Sequence, residues 1–204
     1  YGAGGFDVSG DLPASLWLND FIELYNPTDD DVDLTGWFIA YGSPGRGAGT
    51  PNPVALTGAI PANGHYLIQG AGGTHGAPLP TPDQVSAVTN MGAQSGFVVL
   101  TAANNVNIPT GDMAGLALVV DAVGYGEANT YESAPQGTTT GGLISAQRVG
   151  EGTDTNDNSE DFITGAPTPT NSAGETTAPL SFISPGPQAY VVDEEITPLV
   201  LSAG

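Results

Sequence analysis

Cysteine and lysine are both absent from the 204 residues, and Arg46 and Arg148 are the only strong cations. Without thiols there is no disulfide framework and no thiolate chemistry. Two arginines on a chain of formal charge -20 cannot assemble the cation cluster that displaces counterions from a phosphate backbone, which excludes nucleic acid as a partner. The same shortage disfavours anionic membrane surfaces. No apolar run approaches the ~20 residues of a spanning helix, so no membrane insertion is expected. Sustained helical periodicity is missing as well.

What is present is glycine (30), proline (17), a large excess of carboxylates (22 Asp and Glu) and a hydrophobic share of 39%. The apolar residues fall in short patterned runs, so the chain has the material for a folded core despite its glycine and proline content. Composition rich in Gly, Thr, Asn, Ala and Asp and free of Lys suggests an extracellular or cell-surface protein working in salty or calcium-bearing water. The chain begins at Tyr1 with no signal-peptide pattern, which reads as a processed product or a fragment.

Strand signals dominate. Phe21-Ile-Glu-Leu-Tyr25 alternates and ends at Asn26-Pro27, a turn opener. Further strands are expected at Val32-Asp-Leu34, Gly36 to Tyr41, Ala55 to Leu56, Gly64 to Ile68, Gly96 to Leu100, Leu116 to Val123 and Leu143 to Val149. Their spacing, with Gly- and Pro-rich connections between them, predicts an antiparallel sandwich. One helical turn is expected over Thr81 to Val88, with Pro82 at a first helical position and Asp83 at the positive end. A Pro/Thr/Ser-rich linker around Pro167 to Thr177 divides the chain. It is followed by apolar segments at Leu180 to Ile183 and Ala189 to Leu201, too short to bury a core alone.

Several segments in order resemble the bacterial lamin-tail domain, an immunoglobulin-like β-sandwich. They are Asn19-Asp-Phe-Ile-Glu-Leu-Tyr-Asn-Pro-Thr28, Val32-Asp-Leu-Thr-Gly-Trp37, Leu56 to Leu67, Val120-Asp-Ala-Val-Gly-Tyr-Gly126, Ser145-Ala-Gln-Arg148, Asp154-Thr-Asn-Asp-Asn158 through Phe162, and Pro167-Thr-Pro-Thr-Asn171. The resemblance implies an all-β, immunoglobulin-like antiparallel β-sandwich over residues 1–172, with residues 173–204 a linker and C-terminal β-strand extension. Ile22, Leu24, Trp37, Tyr66 and Ile68 would point into the sandwich, and Arg148 would be a paired cation. The tail from Pro179 to Ala203 resembles the opening of a second immunoglobulin-like module of bacterial surface proteins. The family has an apolar strand ahead of a segment like Tyr1-Gly-Ala-Gly-Gly5 that this chain lacks. That lack would leave a sheet edge open to strand addition.

Candidate chemistry is confined to carboxylates. Asp154, Asn156 and Asn158, with Asp157, Glu160 and Asp161, resemble the start of a calcium loop, since a hard cation needs converging oxygens at alternate positions. The helix-loop version fails, because Ser159 stands where the loop glycine belongs and Gly165 where a bidentate glutamate belongs. An Asx-turn-rich corner explains the same residues. Asp29 and Asp31, crowded with Asp30 and Asp33, form a second acidic cluster that either holds a cation or is a solvated hairpin tip. Asp193, Glu194 and Glu195 interrupt the tail, as a guard against indiscriminate pairing or as part of an intersubunit cation site. His65 and His75 have no partner spacing for zinc or a catalytic triad, so no catalytic residue is assigned and an enzyme is not expected. Tyr1 to Gly5 lacks the lysine of a phosphate loop.

These readings lead to a non-catalytic extracellular structural or adhesive module. Its sharp form is a self-assembling surface filament, a homopolymer in which Tyr190 to Leu201 adds to the open edge of a neighbour, with calcium as a possible cofactor. Lamin-tail domains also sit beside extracellular nuclease domains, which implies the alternative of an accessory domain of a larger secreted enzyme. A calcium-dependent binding module is the third reading.

Overall fold

The computed structural model describes residues 15–46, 49, 51–86, 90–138 and 140–177. The Tyr1 to Gly5 segment, the acidic triplet Asp193 to Glu195 and the extension Tyr190 to Leu201 lie outside the described residues.

Residues 96–101 show most directly how sequence becomes sheet here. β8 (Gly96–Thr101) has every residue buried, and its alternate side chains serve two cores. Val98 and Leu100 enter one apolar cluster with Ile22, Ile39, Tyr66 and Ile68. Phe97 and Val99 enter another with Ala40, Ile108, Met113 and Ala122. A continuous apolar run thus forms a central strand covered on both faces. β3 (Phe38–Gly42) and β10 (Val119–Tyr125) flank β8 antiparallel, and β4 (Val54–Ala55) extends the sheet in the order β10-β8-β3-β4.

Facing it is a second sheet. β1 (Asn19–Tyr25) pairs antiparallel with β6 (His65–Gly72), setting Ile22 opposite Ile68 and Leu24 opposite Tyr66. These four side chains point at β8, as their spacing of two requires. The fold is an immunoglobulin-like β-sandwich with the shared cluster between its sheets. On the outer face of the second sheet, Trp17, Phe21, Leu67 and Leu79 form a third cluster.

The helical turn expected over Thr81 to Val88 is overturned across its described part. β7 (Gln84–Val85) joins β6 in parallel, giving the order β1-β6-β7. Asp83 is the reason. Its carboxylate accepts from the Leu67 N–H at 2.7 Å and the Ser172 N–H at 3.0 Å, and from the Ser172 hydroxyl, so it ties a strand to a loop and caps no helix. Leu116 to Leu118 also fall outside their expected strand. A turn there bonds Leu116 N–H to Met113 O and holds Leu118 at φ 71, and the strand starts at Val119.

Short ladders close the remaining corners. β2 (Val32–Asp33) pairs with β5 (Ala59–Ile60), and β9 (Gly111–Asp112) pairs with β11 (Thr130–Tyr131). β12 (Ser145–Arg148) pairs with β13 (Phe162–Gly165), joined by a loop that carries the single-turn helix α1 (Asn158–Asp161).

Candidate functional site

Among the described residues Arg148 is the centre of a cluster of charged side chains. It leaves β12 with its side chain 18% exposed, and its guanidinium lies 4.5 Å over the Phe162 ring. One nitrogen donates to Asp121 Oδ1 at 2.5 Å, and the other donates to Thr153 O at 2.7 Å. Asp161 lies 3.5 Å away and Asp154 3.8 Å away. Burial alone would lower the Arg148 pKa, but Asp121, Asp154 and Asp161 outweigh it and hold it above its ordinary value. The cation expected at this position is therefore paired.

Asp121, Glu132 and Asp154 converge beside it, with carboxylate oxygens within 4.8 Å of one another, a grouping able to hold a metal ion. Glu132 is buried and accepts from Asn158 Nδ2 at 3.2 Å. Burial first, then the charges of Asp121 and Asp154, push its carboxyl up to about 7. A cation that bound there would relieve this repulsion, and a proton does the same.

The structure separates the other sequence candidates. Asn158 is fully buried and acts as a structural knot. Its side-chain oxygen accepts from Gly124 N–H at 2.8 Å and Glu132 N–H at 3.0 Å, while its amide donates to Ala122 O at 2.8 Å. Asp161 accepts from the N–H and hydroxyl of Thr155, both at 2.8 Å. Although burial raises its pKa, these bonds, the Asp157 N–H and Arg148 hold Asp161 below the usual carboxylate value. Asp157 caps α1 by accepting from Ser159 N–H at 3.0 Å. Asn156 sits at φ 59 and donates its N–H to Asp154 Oδ1 at 3.0 Å, an Asx turn. Glu160 is exposed on α1. Of these six residues, Asp154 alone joins the acidic triad.

Asp29 and Asp31 lie elsewhere. Asp29 accepts from Asn63 Nδ2 at 3.1 Å and Asp31 from Ala62 N–H at 2.9 Å, which clasps the Pro27–Asp31 corner to the Pro61–Gly64 turn. Asp33 is held below its ordinary pKa by the Thr35 side chain first and then by the Thr35 N–H, from which it accepts. Asp121 and Glu132 were not among the sequence candidates. Asp121 carried a signal, as the one carboxylate inside the apolar run Val119 to Val123. Glu132 carried none, because only folding brings β11 next to α1.

His65 lies across from β1. Its Nδ1 is 2.8 Å from Glu23 Oε1, its Nε2 is 3.8 Å from Glu151, and its ring meets Tyr25 at 5.0 Å. Burial raises the Glu23 pKa, and the Thr170 N–H and His65 offset part of that. His75 is exposed and bonds Thr74.

The other notable feature is backbone. β1 is the terminal strand of its sheet, with β6 on one side and no strand of the described residues on the other. A groove of about 610 Å³ runs along that outer edge, and both Arg148 and Asp154 reach it. Among the described residues no helix is long and apolar enough to cross a membrane.

The family model described as Lamin Tail Domain matches residues 4–127 of the chain. No curated protein and no solved structure matches it.

Proposed function

The chain belongs to the lamin tail domain family, and from that premise we propose that it is a non-catalytic extracellular structural module that self-assembles by β-strand addition. The observation that carries this reading is the outer edge of β1, which meets no strand among the described residues. A sheet edge of seven residues beside an apolar groove is a template for another strand. The extension Tyr190 to Leu201 supplies β-prone sequence to fill it.

A non-catalytic role is supported by how the ionisable residues are used. Arg148, Asp161, Asp157 and Asp83 tie loops to strands and caps to helices. Calcium is the cation we assign to the carboxylates of Asp121, Glu132 and Asp154, since three hard oxygen donors suit it. Its second task is to screen subunits that each carry -20. Location outside the cell is supported by the lysine-free acidic composition.

Electron microscopy of the purified chain, first with calcium and then with excess chelator, tests the reading. Ordered filaments that fray on chelation are expected. Filaments indifferent to the chelator would remove calcium from the account. Dispersed particles in both conditions would overturn self-assembly and leave an accessory module of a larger secreted enzyme.

A further inference from the structure

A second strand edge faces the one on β1. The bond from Asn26 N–H to Gly64 O, 2.9 Å, sets the phase of the β1–β6 ladder. Ile22 and Leu24 direct their backbone groups to β6, and Glu23 and Tyr25 direct theirs outward. Among the described residues β12 pairs with β13 alone. The bond from Val149 N–H to Asp161 O, 2.8 Å, puts Ser145 and Gln147 in bonded pairs with β13, which turns the backbone groups of Ala146 and Arg148 to the opposite edge. All of β12 lines the groove, whereas β13 contributes only Phe162, so this edge of β12 looks into it.

The two edges run in the same direction. At their start, Leu16 N–H bonds Gly142 O at 2.8 Å. At their end, Gly152 is packed so closely on Pro27 that a Cβ there would lie 2.7 Å from the Pro27 ring. Between these ties the groove is floored by apolar groups, including Leu24, Trp37, Leu100 and Val123. It is a slot about one strand long, with backbone on both walls.

We propose that this slot receives Ile196 to Leu201 of a second copy of the chain as an inserted strand, joining β1 to β12. The inference rests on the self-association proposed above and specifies where the contact lies. In Ile196-Thr-Pro-Leu-Val-Leu201 either alternation, Ile196 with Val200 or Leu199 with Leu201, offers apolar side chains to the floor. Six extended residues span roughly 20 Å, against roughly 23 Å for the seven of β1. Pro198 withdraws one N–H from one of the two new ladders, so Ile196 and Val200, two residues either side, carry the donors to that edge.

The segment preceding the extension is tied to the outer face of the β1-β6-β7 sheet. Thr170 N–H bonds Glu23 at 2.7 Å, Asn171 Nδ2 bonds Thr81 O at 2.9 Å, and Ser172 N–H bonds Asp83 at 3.0 Å. This path crosses the outer face of the β1-β6-β7 sheet as far as Asp83 and then turns back, with Thr176 bridged antiparallel to Thr170, so cross-linking separates a second copy from the chain's own tail.

The absence of native cysteine makes disulfide trapping unambiguous. Ala146→Cys and Leu199→Cys are made as separate full-length variants, checked for native melting, mixed and mildly oxidised. A reducible dimer joining the two variants is expected, in about tenfold excess over the same mixture with Val85→Cys, an exposed site on β7, in place of Ala146→Cys. Val123→Cys replaces Ala146→Cys if the latter melts early. Oligomers that persist without this cross-link would overturn the slot and leave self-association standing. Closure within one chain of the Ala146→Cys/Leu199→Cys double variant would assign the slot to the chain's own tail. Closure of Phe6→Cys on Ala146→Cys would assign it to the N-terminal segment. A native chain monomeric at every concentration would overturn self-association itself.

Discussion

Asn158 shows how one side chain substitutes for a strand. Its amide bonds both polarities of the β10 edge, through Ala122 O and Gly124 N–H, and holds Glu132 N–H as well. Replacing it by alanine strands several buried backbone groups without partners. We expect Asn158→Ala to cost about 3 kcal/mol, read from the urea midpoint at unchanged slope. Glu132 gives a pH signature. Its carboxyl titrates near 4.5 in an unfolded chain and is pushed up to about 7 here, so the folded state holds the proton more tightly. Its contribution is therefore fully present below about pH 4.5 and fades as pH rises toward 7. Asp161 and Asp112 act oppositely, since their lowered pKa values remove stability as acid protonates them. Thermal melting across pH should fall between 4.5 and 7 in the native chain, and Glu132→Gln should flatten that limb while sparing the acid limb. A limb unchanged by Glu132→Gln would place the titrating group elsewhere. Arg148→Met tests the same cluster. It removes the cation that Asp121 and Asp161 share, and a loss of about 2–4 kcal/mol is expected, reduced by added calcium.

Elements built from non-local pairing were the ones the sequence concealed. β1, β3, β6 and β8 carry their alternation or apolar run locally, and their positions were readable from residues such as Ile22, Leu24 and Val98. β5, β7, β9, β11 and β13 have two to four residues each, and distant partners determine them. Gln84 is a strand residue because Ile68 lies beside it, and Asp83 stops a helix because Leu67 and Ser172 claim its carboxylate. The Asp154 to Asp161 loop was legible as an acidic turn, but the inward course of Asn158 depends on β10 and was not. At this scale the pairing of β3 with β8 includes a very close contact, where Gly42 lies opposite Phe97. A Cβ on Gly42 would lie 2.1 Å from the Phe97 ring, which is buried and has no room to swing away. Gly42→Ala should cost about 1–3 kcal/mol in urea unfolding. A neutral result would mean that the β3–β8 interface is looser than this packing implies.

For the whole molecule, charge and edges pull in opposite directions. Each subunit carries -20, and repulsion between copies reaches about 10 Å at 0.1 M salt. Edge pairing and apolar burial must overcome that field, so association should strengthen with ionic strength and more sharply with calcium. The opposite salt dependence would indicate that contacts between unlike charges, and not strand pairing, hold the copies together. The central claim is that one copy's extension completes another copy's sandwich. Sedimentation velocity of the full chain and of a chain lacking residues 190–201, both in calcium over a concentration series, tests it most directly. The account predicts concentration-dependent oligomers from the full chain and a single folded monomer from the shortened one. Oligomers of equal size from both would contradict it.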